Sequence, residues 1–334
     1  MENSYINSFE DFLTNKNILI TSHDLVDLDG LSSSLCLNFF LQNEKNLDTF
    51  LYFSKISKHT EFFLEKFKEK FPKFIINIEH SIRDLEIDGI IILDANELDQ
   101  IVFLEDLKQD KSDLSYFFID HHYRDNINVK NNQAGIILDN YISTAEIIVD
   151  LLNKFNFEIT RPLKYLLVAG ILSDSGYFKF GNNHTIKTIS ELLDDEVEYQ
   201  EILMMLKSEP DISKKIAQIK GAQRAEFIKQ NDWLIGISEV SSFESSVANT
   251  LIKIGFDIAI VFSERKEEYR VSLRAKKKVC IETNLHLGKI LEGISKECNA
   301  VGGGHDGAAS INIPKEKGNL RDIILAKIKD ILNI

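Results

Sequence analysis

Two five-residue runs, Gly89-Ile-Ile-Ile-Leu93 and Ser115-Tyr-Phe-Phe-Ile119, are almost wholly apolar, and each ends abruptly at an aspartate, Asp94 and Asp120. A strand without polar alternation is buried on both faces, which is the pattern of a parallel sheet covered by helices. Strand-length runs and helical patterns alternate through the first half, as successive βαβ units require. Asn17-Ile-Leu-Ile-Thr21 reads as a strand, followed by a polar loop and a helix over about 32–40, and residues 47–54 read as another strand. Phe63, Phe67 and Phe71 recur every fourth residue, a helix face turned to the core. Ser143-Thr-Ala-Glu146 predicts a helix start, and a further helix runs from Pro162 to about 172.

The second half predicts strands over 233–238, 256–263 and 269–275, with a helix near 245–254 between the first two. A helix near 284–296 leads to a glycine loop, Val301-Gly-Gly-Gly-His305, a strand over 308–313 and a terminal helix. The fold class is therefore α/β: a mainly parallel sheet domain over 1–195, a helical linker over 196–222, and a smaller α/β domain over 223–334. Two domains suit a chain of 334 residues.

Composition narrows the function. Hydrophobic residues at 44% and charged residues at 27% describe a folded chain, and no apolar run approaches the roughly 20 residues that cross a bilayer. The acidic start MENSYINSFEDF lacks the features of a signal peptide, so a cytoplasmic location without membrane attachment is expected. Three cysteines without C-x-x-C spacing exclude a zinc knuckle and fit a reducing compartment. A net charge of −13 disfavours duplex DNA as a partner. Acid is concentrated in the first 219 residues, whereas the remainder carries a mild basic excess, as a cation site facing an anion site would require.

The chemistry clusters where strands end. His23-Asp-Leu-Val-Asp27-Leu-Asp29-Gly30 follows the first strand, Asp94 closes another, Asp120-His121-His122 closes a third, and Asp174 lies in Ser173-Asp-Ser-Gly176. Open α/β sheets bind ligands at that carboxyl edge. Imidazole with several carboxylates suits manganese, iron or zinc, and the donors suffice for two divalent cations. Such a pair holds a bridging hydroxide for in-line attack at phosphorus. Arg274 and the glycines before His305 supply groups that grip a phosphate.

These residues resemble the DHH phosphoesterase superfamily, whose motifs appear here in order as His23-x3-Asp27-x-Asp29-Gly30, Asp94, Asp120-His121-His122 and Asp174. The second half resembles its DHH-associated domain in the RecJ and nanoRNase branch, through Val271-Ser-Leu-Arg274 and Gly302-Gly-Gly-His305-Asp-Gly-Ala-Ala-Ser310. The resemblance spans nearly the whole chain. Two departures are Val26, where proline often precedes the first aspartate, and Val301, where many nanoRNases have a fourth glycine.

The resemblance implies two Mn2+ ions. His23, Asp27 and Asp94 would hold one, and Asp29, Asp94, His121 and Asp174 the other, with Asp94 bridging. It implies that His122 stands by the scissile phosphate and leaving oxygen, supported by Asp120. Arg274, Gly302, Gly303, Gly304 and His305 would hold the distal phosphate or nucleotide. It also makes a homodimer through the first domain an expectation. The function it implies is a manganese-dependent phosphodiesterase turning short oligonucleotides or dinucleotides, such as pApA or cyclic di-AMP, into mononucleotides. Alternatives are 3′-phosphoadenosine 5′-phosphate phosphatase, a RecJ-like single-strand exonuclease and manganese inorganic pyrophosphatase. His184, soon after Asp174, is a further candidate to line the cleft.

Overall fold

The structure is a computed structural model, and it describes all residues except 16, 84, 105–113, 124–132, 208–210, 299, 315–319 and 333–334. The chain divides into two compact units, Met1–Ser208 and Glu209–Ile334.

In the first unit, strands β1 (Asn17–Ser22), β3 (Asp48–Leu51), β5 (Gly89–Leu93), β6 (Ser115–Asp120) and β7 (Gln133–Ile137) form one parallel sheet in the order β3-β1-β5-β6-β7. Successive side chains point to opposite faces. Ile18, Ile20, Ile91, Leu93, Phe117 and Ile119 enter one core, while Leu19, Ile90, Ile92, Tyr116 and Phe118 enter another. The larger core is closed by residues of helices Asn3–Phe12, Leu28–Asn43, Thr144–Lys154 and Arg161–Asp174. Two short strands, β2 (Leu25–Val26) and β4 (Lys55–Ile56), pair apart from the main sheet.

The chain winds outward from β1 in both directions, to β3 on one side and to β5 on the other. The loops leaving the carboxyl ends of β1 and β5 therefore part there and open a crevice, the topological switch point of an open α/β sheet. That topology places His23 and Asp94 on the two sides of one crevice.

The second unit has a mixed sheet in the order β12-β13-β11-β10-β9-β8: β8 (Glu226–Gln230), β9 (Trp233–Glu239), β10 (Ile258–Glu264), β11 (Glu268–Ala275), β12 (Val301–Gly304) and β13 (Ala308–Pro314). Ile258, Ile260, Val271 and Leu273 join helices Leu287–Cys298 and Leu320–Leu332 on one face. Ala259 and Val261 join helix Glu244–Ile254 on the other. The helices of the segment read as a linker enter these cores, Ile202 and Leu206 of Tyr199–Leu206 in the first unit and Ala217 and Ala222 of Ile212–Gln223 in the second.

Three local expectations are corrected. The helix after β1 begins at Leu28, with Asp27 as its N-cap accepting the Gly30 N–H at 3.1 Å, so Asp29 lies in the first helical turn and not in a loop. A carboxylate is favourable there because four N–H groups of a helix start lack partners. Val301–Gly304 is a strand, not a loop, paired with β13. Two of its glycines are dictated by crowding: a Cβ at Gly302 would stand 2.5 Å from Ile311, and one at Gly304 (φ +149°) 2.3 Å from the Ala308 carbonyl. Helix Lys277–Thr283 and strands β7 and β8 were not foreseen.

Candidate metal centre

Asp94 occupies the first position beyond β5 in the left-handed region, φ +56°, which aspartate tolerates better than most side chains. Its carboxylate is almost fully buried at the centre of the crevice. Oδ2 lies 3.6 Å from His23 Nε2, and Oδ1 lies 3.5 Å from His121 Nε2 and 3.8 Å from His122 Nδ1. His121 Nε2 is also 3.3 Å from Asp174 Oδ2, at the end of helix Arg161–Asp174, and His23 Nε2 is 4.0 Å from Asp27 Oδ1. Gly30 is needed beneath this group, because a Cβ would stand 2.4 Å from Ser22 Oγ and 3.4 Å from Asp94 Oδ2.

All eight residues expected at the metal centre or beside it converge. His23, Asp27 and Asp94 form one grouping with ligand atoms within 4.8 Å of one another, Asp29, Asp94, His121 and Asp174 a second, and Asp94, Asp120, His121 and His122 a third. Asp94 is common to all three. His122 is half exposed, with Nδ1 held by Asp120 Oδ1 at 2.9 Å.

The sequence reading missed what holds Asp29. The N-terminus of helix Thr144–Lys154 clamps it, with Thr144 N donating to Oδ2 at 2.6 Å and Ala145 N donating to Oδ1 at 2.9 Å. Thr144 Oγ1 then donates to Asp94 Oδ1 at 3.2 Å, tying the two carboxylates together. Gly170 brings the neighbouring helix up to them, its missing Cβ leaving 3.2 Å to Asp29 Oδ1. The Ser143-Thr-Ala-Glu146 start was legible as a helix signal, but the partner of its free N–H groups lies 115 residues away. Thr144→Val keeps the shape and removes only the hydroxyl. It is expected to weaken divalent-cation affinity by about 10- to 100-fold, the usual cost of losing a group that orients a ligand, with calorimetry as the readout.

Electrostatics shows what the cluster needs. Among the described residues, no lysine or arginine pairs with Asp27, Asp29, Asp94, Asp120 or Asp174. Burial, then the charges of Asp174 and Asp94, push the Asp29 carboxyl well above its ordinary range. Burial with Asp94 and Asp174 pushes Asp27 up to about 6. Burial acts in the same direction on Asp94, but His121 and His23 overcome it and hold that carboxyl low. His121 is pushed up to about 11, its burial outweighed by Asp174 and Asp94. His122 is raised through its bond to Asp120. His121 Nε2 and Asp120 Oδ2 are buried without any hydrogen-bond partner. Buried polar atoms are rarely left so. A divalent cation satisfies orphaned imidazole and crowded carboxylates together, so the residues present fit such ions.

His184 stands apart from these groupings. Its Nδ1 is 3.6 Å from Glu146 Oε1 and its Nε2 3.8 Å from Asp150 Oδ2, while its ring meets Tyr141 edge-on at 4.8 Å.

In the second unit Arg274, Gly303 and Gly304 line one cavity of about 360 Å³ with Ser245, Ser272 and Ser310. Arg274 is half buried and donates only to neutral groups: Ser245 Oγ at 2.7 Å, the Leu273 carbonyl at 2.8 Å, Asn249 Oδ1 at 3.2 Å and Ser272 Oγ at 3.4 Å. Gly302 instead faces the core at Ile311. His305 is exposed, and its N–H is committed to the Ala308 carbonyl at 2.8 Å. An edge strand spends alternate N–H groups on its neighbour, so the glycine run does not offer the unbroken row expected of a loop.

A parallel sheet with a carboxylate–imidazole centre at its switch point, followed by a separate mixed-sheet unit with an arginine-lined cavity, defines a two-domain α/β protein built for divalent cations and a phosphorylated ligand. Comparison agrees. Residues 17–171 match the model of the DHH family, N-terminal domain, and residues 244–333 match the DHHA1 domain. The chain belongs to the DHH superfamily and is a phosphoric ester hydrolase. It is 29% identical over 331 residues to an uncharacterized protein of Methanocaldococcus jannaschii, covering 97% of this chain and 94% of that one. It is 24% identical over 267 residues to a probable manganese-dependent inorganic pyrophosphatase of Exiguobacterium, covering 73% and 80%. Its fold is shared with the crystal structure of an exopolyphosphatase-related protein from Bacteroides fragilis, at TM-score 0.64 and 19% identity over 100% of this chain and 98% of that one.

Proposed function

We propose that the chain is a manganese-dependent phosphodiesterase that converts short oligonucleotides or dinucleotides, linear pApA or cyclic di-AMP among them, into mononucleotides. The Arg274 cavity carries this reading. A guanidinium with only neutral partners keeps its charge available for an anion, and about 360 Å³ is the size of a small-ligand site, well beyond what pyrophosphate fills. His23, Asp27 and Asp94 would hold one cation and Asp29, Asp94, His121 and Asp174 a second. Such ions activate water and stabilise charge on phosphoryl oxygens. His122, fixed at Nδ1 by Asp120, keeps Nε2 for a proton handed to the leaving oxygen. Arg274, with Gly303 and Gly304 leaving room beside it, would hold the phosphate distal to the scissile one.

The test is a product-resolved assay in manganese offering cyclic di-AMP, pApA, a five-residue RNA, 3′-phosphoadenosine 5′-phosphate and pyrophosphate side by side. Mononucleotide from the dinucleotides or RNA supports the proposal. Turnover of pyrophosphate alone replaces it with the second reading, inorganic pyrophosphatase, which the similarity to the Exiguobacterium protein favours.

Cation binding has its own signature. Asp27 titrates near 6 and His121 near 11 without metal, so protons must leave as Mn2+ enters. Calorimetry at pH 6.5 in two buffers of different ionisation enthalpy is expected to show net proton release. Affinity is expected to weaken as pH falls through about 6, because a protonated Asp27 is no ligand.

A further inference from the structure

Immediately after Asp174 the backbone does something costly. Gly176, Tyr177 and Phe178 take φ of +55°, +57° and +68° in succession. Glycine adopts this region freely, but two consecutive bulky aromatics there are genuine outliers, and strain of this kind persists only where surrounding bonds impose it. The bonds are present. Tyr177 N donates to the Leu172 carbonyl at 2.9 Å, Phe180 N donates to the Ser175 carbonyl at 2.8 Å, and Phe178 N donates to the buried Ser175 Oγ at 3.2 Å.

The turn sorts three aromatics. Phe178 packs inward against the large core and faces Tyr199 at 6.4 Å. Tyr177 and Phe180 point outward, 50% and 63% exposed. Phe180 is not loose: its ring lies 3.0 Å from where a Gly176 Cβ would be, and the Lys179 ammonium stands 4.9 Å from its centroid. The strained turn thus presents two rings to water side by side with a lysine. Consecutive Cα atoms are about 3.8 Å apart, so Tyr177 is within about 11 Å of Asp174, roughly one nucleotide from the metal centre.

We infer that Tyr177 and Phe180 form a stacking platform for a nucleobase of the substrate, with Lys179 beside it for a phosphate. Every base has a π-face that stacks on an aromatic ring without regard to sequence. An inorganic polyphosphate, which offers only anionic oxygens, gains nothing from exposed rings. The platform rests on the dinucleotide reading above and deepens it: the substrate is selected for carrying a base, with little preference among bases.

The experiment compares kcat/KM for pApA with that for the same dinucleotide lacking both bases, in manganese, for the wild type, Tyr177→Asn and Phe180→Leu. Asparagine accepts positive φ, so Tyr177→Asn relieves the turn, and leucine preserves apolar bulk without the π-face. The wild type is expected to prefer the base-bearing substrate, and each variant to lose that preference by about tenfold, while melting temperatures stay at or above the wild-type value for Tyr177→Asn. A preference unchanged in both variants overturns the platform and leaves the dinucleotide reading standing. A wild type that cleaves neither dinucleotide overturns that reading, and the platform with it.

Discussion

Replacing Asp94 with asparagine is expected to lower kcat by about a thousandfold or more while the protein remains folded. Asparagine tolerates φ +56° and can still accept from Thr144 Oγ1, so shape and the clamp beneath the site survive. What disappears is the charge shared by three groupings of candidate ligands, with His23, His121 and His122 all within 3.8 Å of it. A cation held there stabilises transition-state charge by several kcal/mol, and each ~1.4 kcal/mol is a factor of ten in rate. Mn2+ should also cease to raise the melting temperature, since a ligand stabilises only the state that binds it. Turnover within tenfold of wild type, with manganese still raising the melting temperature, would show that Asp94 is not the shared ligand.

How much of this centre local sequence reveals depends on whether the determining forces are themselves local. β5 and β6 are bounded in sequence by apolar runs that stop at Asp94 and Asp120, because parallel strands buried on both faces leave no room for polar alternation. Those ends hold two of the candidate site residues, so the fold and part of the candidate site are read from the same stretch of sequence. Asp27-x-Asp29-Gly30 misleads, because aspartate and glycine are poor helix formers and read as a turn. The helix starts among them since Asp27 caps it and Asp29 finds donors on a helix over a hundred residues later. The glycine run misleads for a related reason: glycine has little strand preference of its own, and Val301–Gly304 becomes a strand because β13 pairs with it, leaving no space for a Cβ at Gly302 or Gly304. The aromatics after Asp174 carry no periodicity at all, and only the backbone angles single them out.

Arg274→Ala is expected to act on the other kinetic constant, raising KM by about 10- to 100-fold with kcat within a few-fold of wild type. A hydrogen bond to a charged group contributes about 1.5–3 kcal/mol, and that range converts to those factors. The distinction follows from position. Under the proposed function Asp94 would lie where charge develops during the reaction, whereas Arg274 is in a unit of its own core, held by Ser245, Asn249 and the Leu273 carbonyl. Binding that is equal in ground and transition states changes KM alone. Arg274→Lys should recover only part of the loss, since an ammonium cannot reproduce the planar fork. Raising salt should increase KM for the wild type more than for Arg274→Ala, because one fewer charge then meets the phosphate. If Arg274→Ala instead lost kcat as deeply as Asp94→Asn, the guanidinium would have to act on the reacting phosphoryl group, and the division of labour between a metal centre in the first unit and a substrate grip in the second would fail.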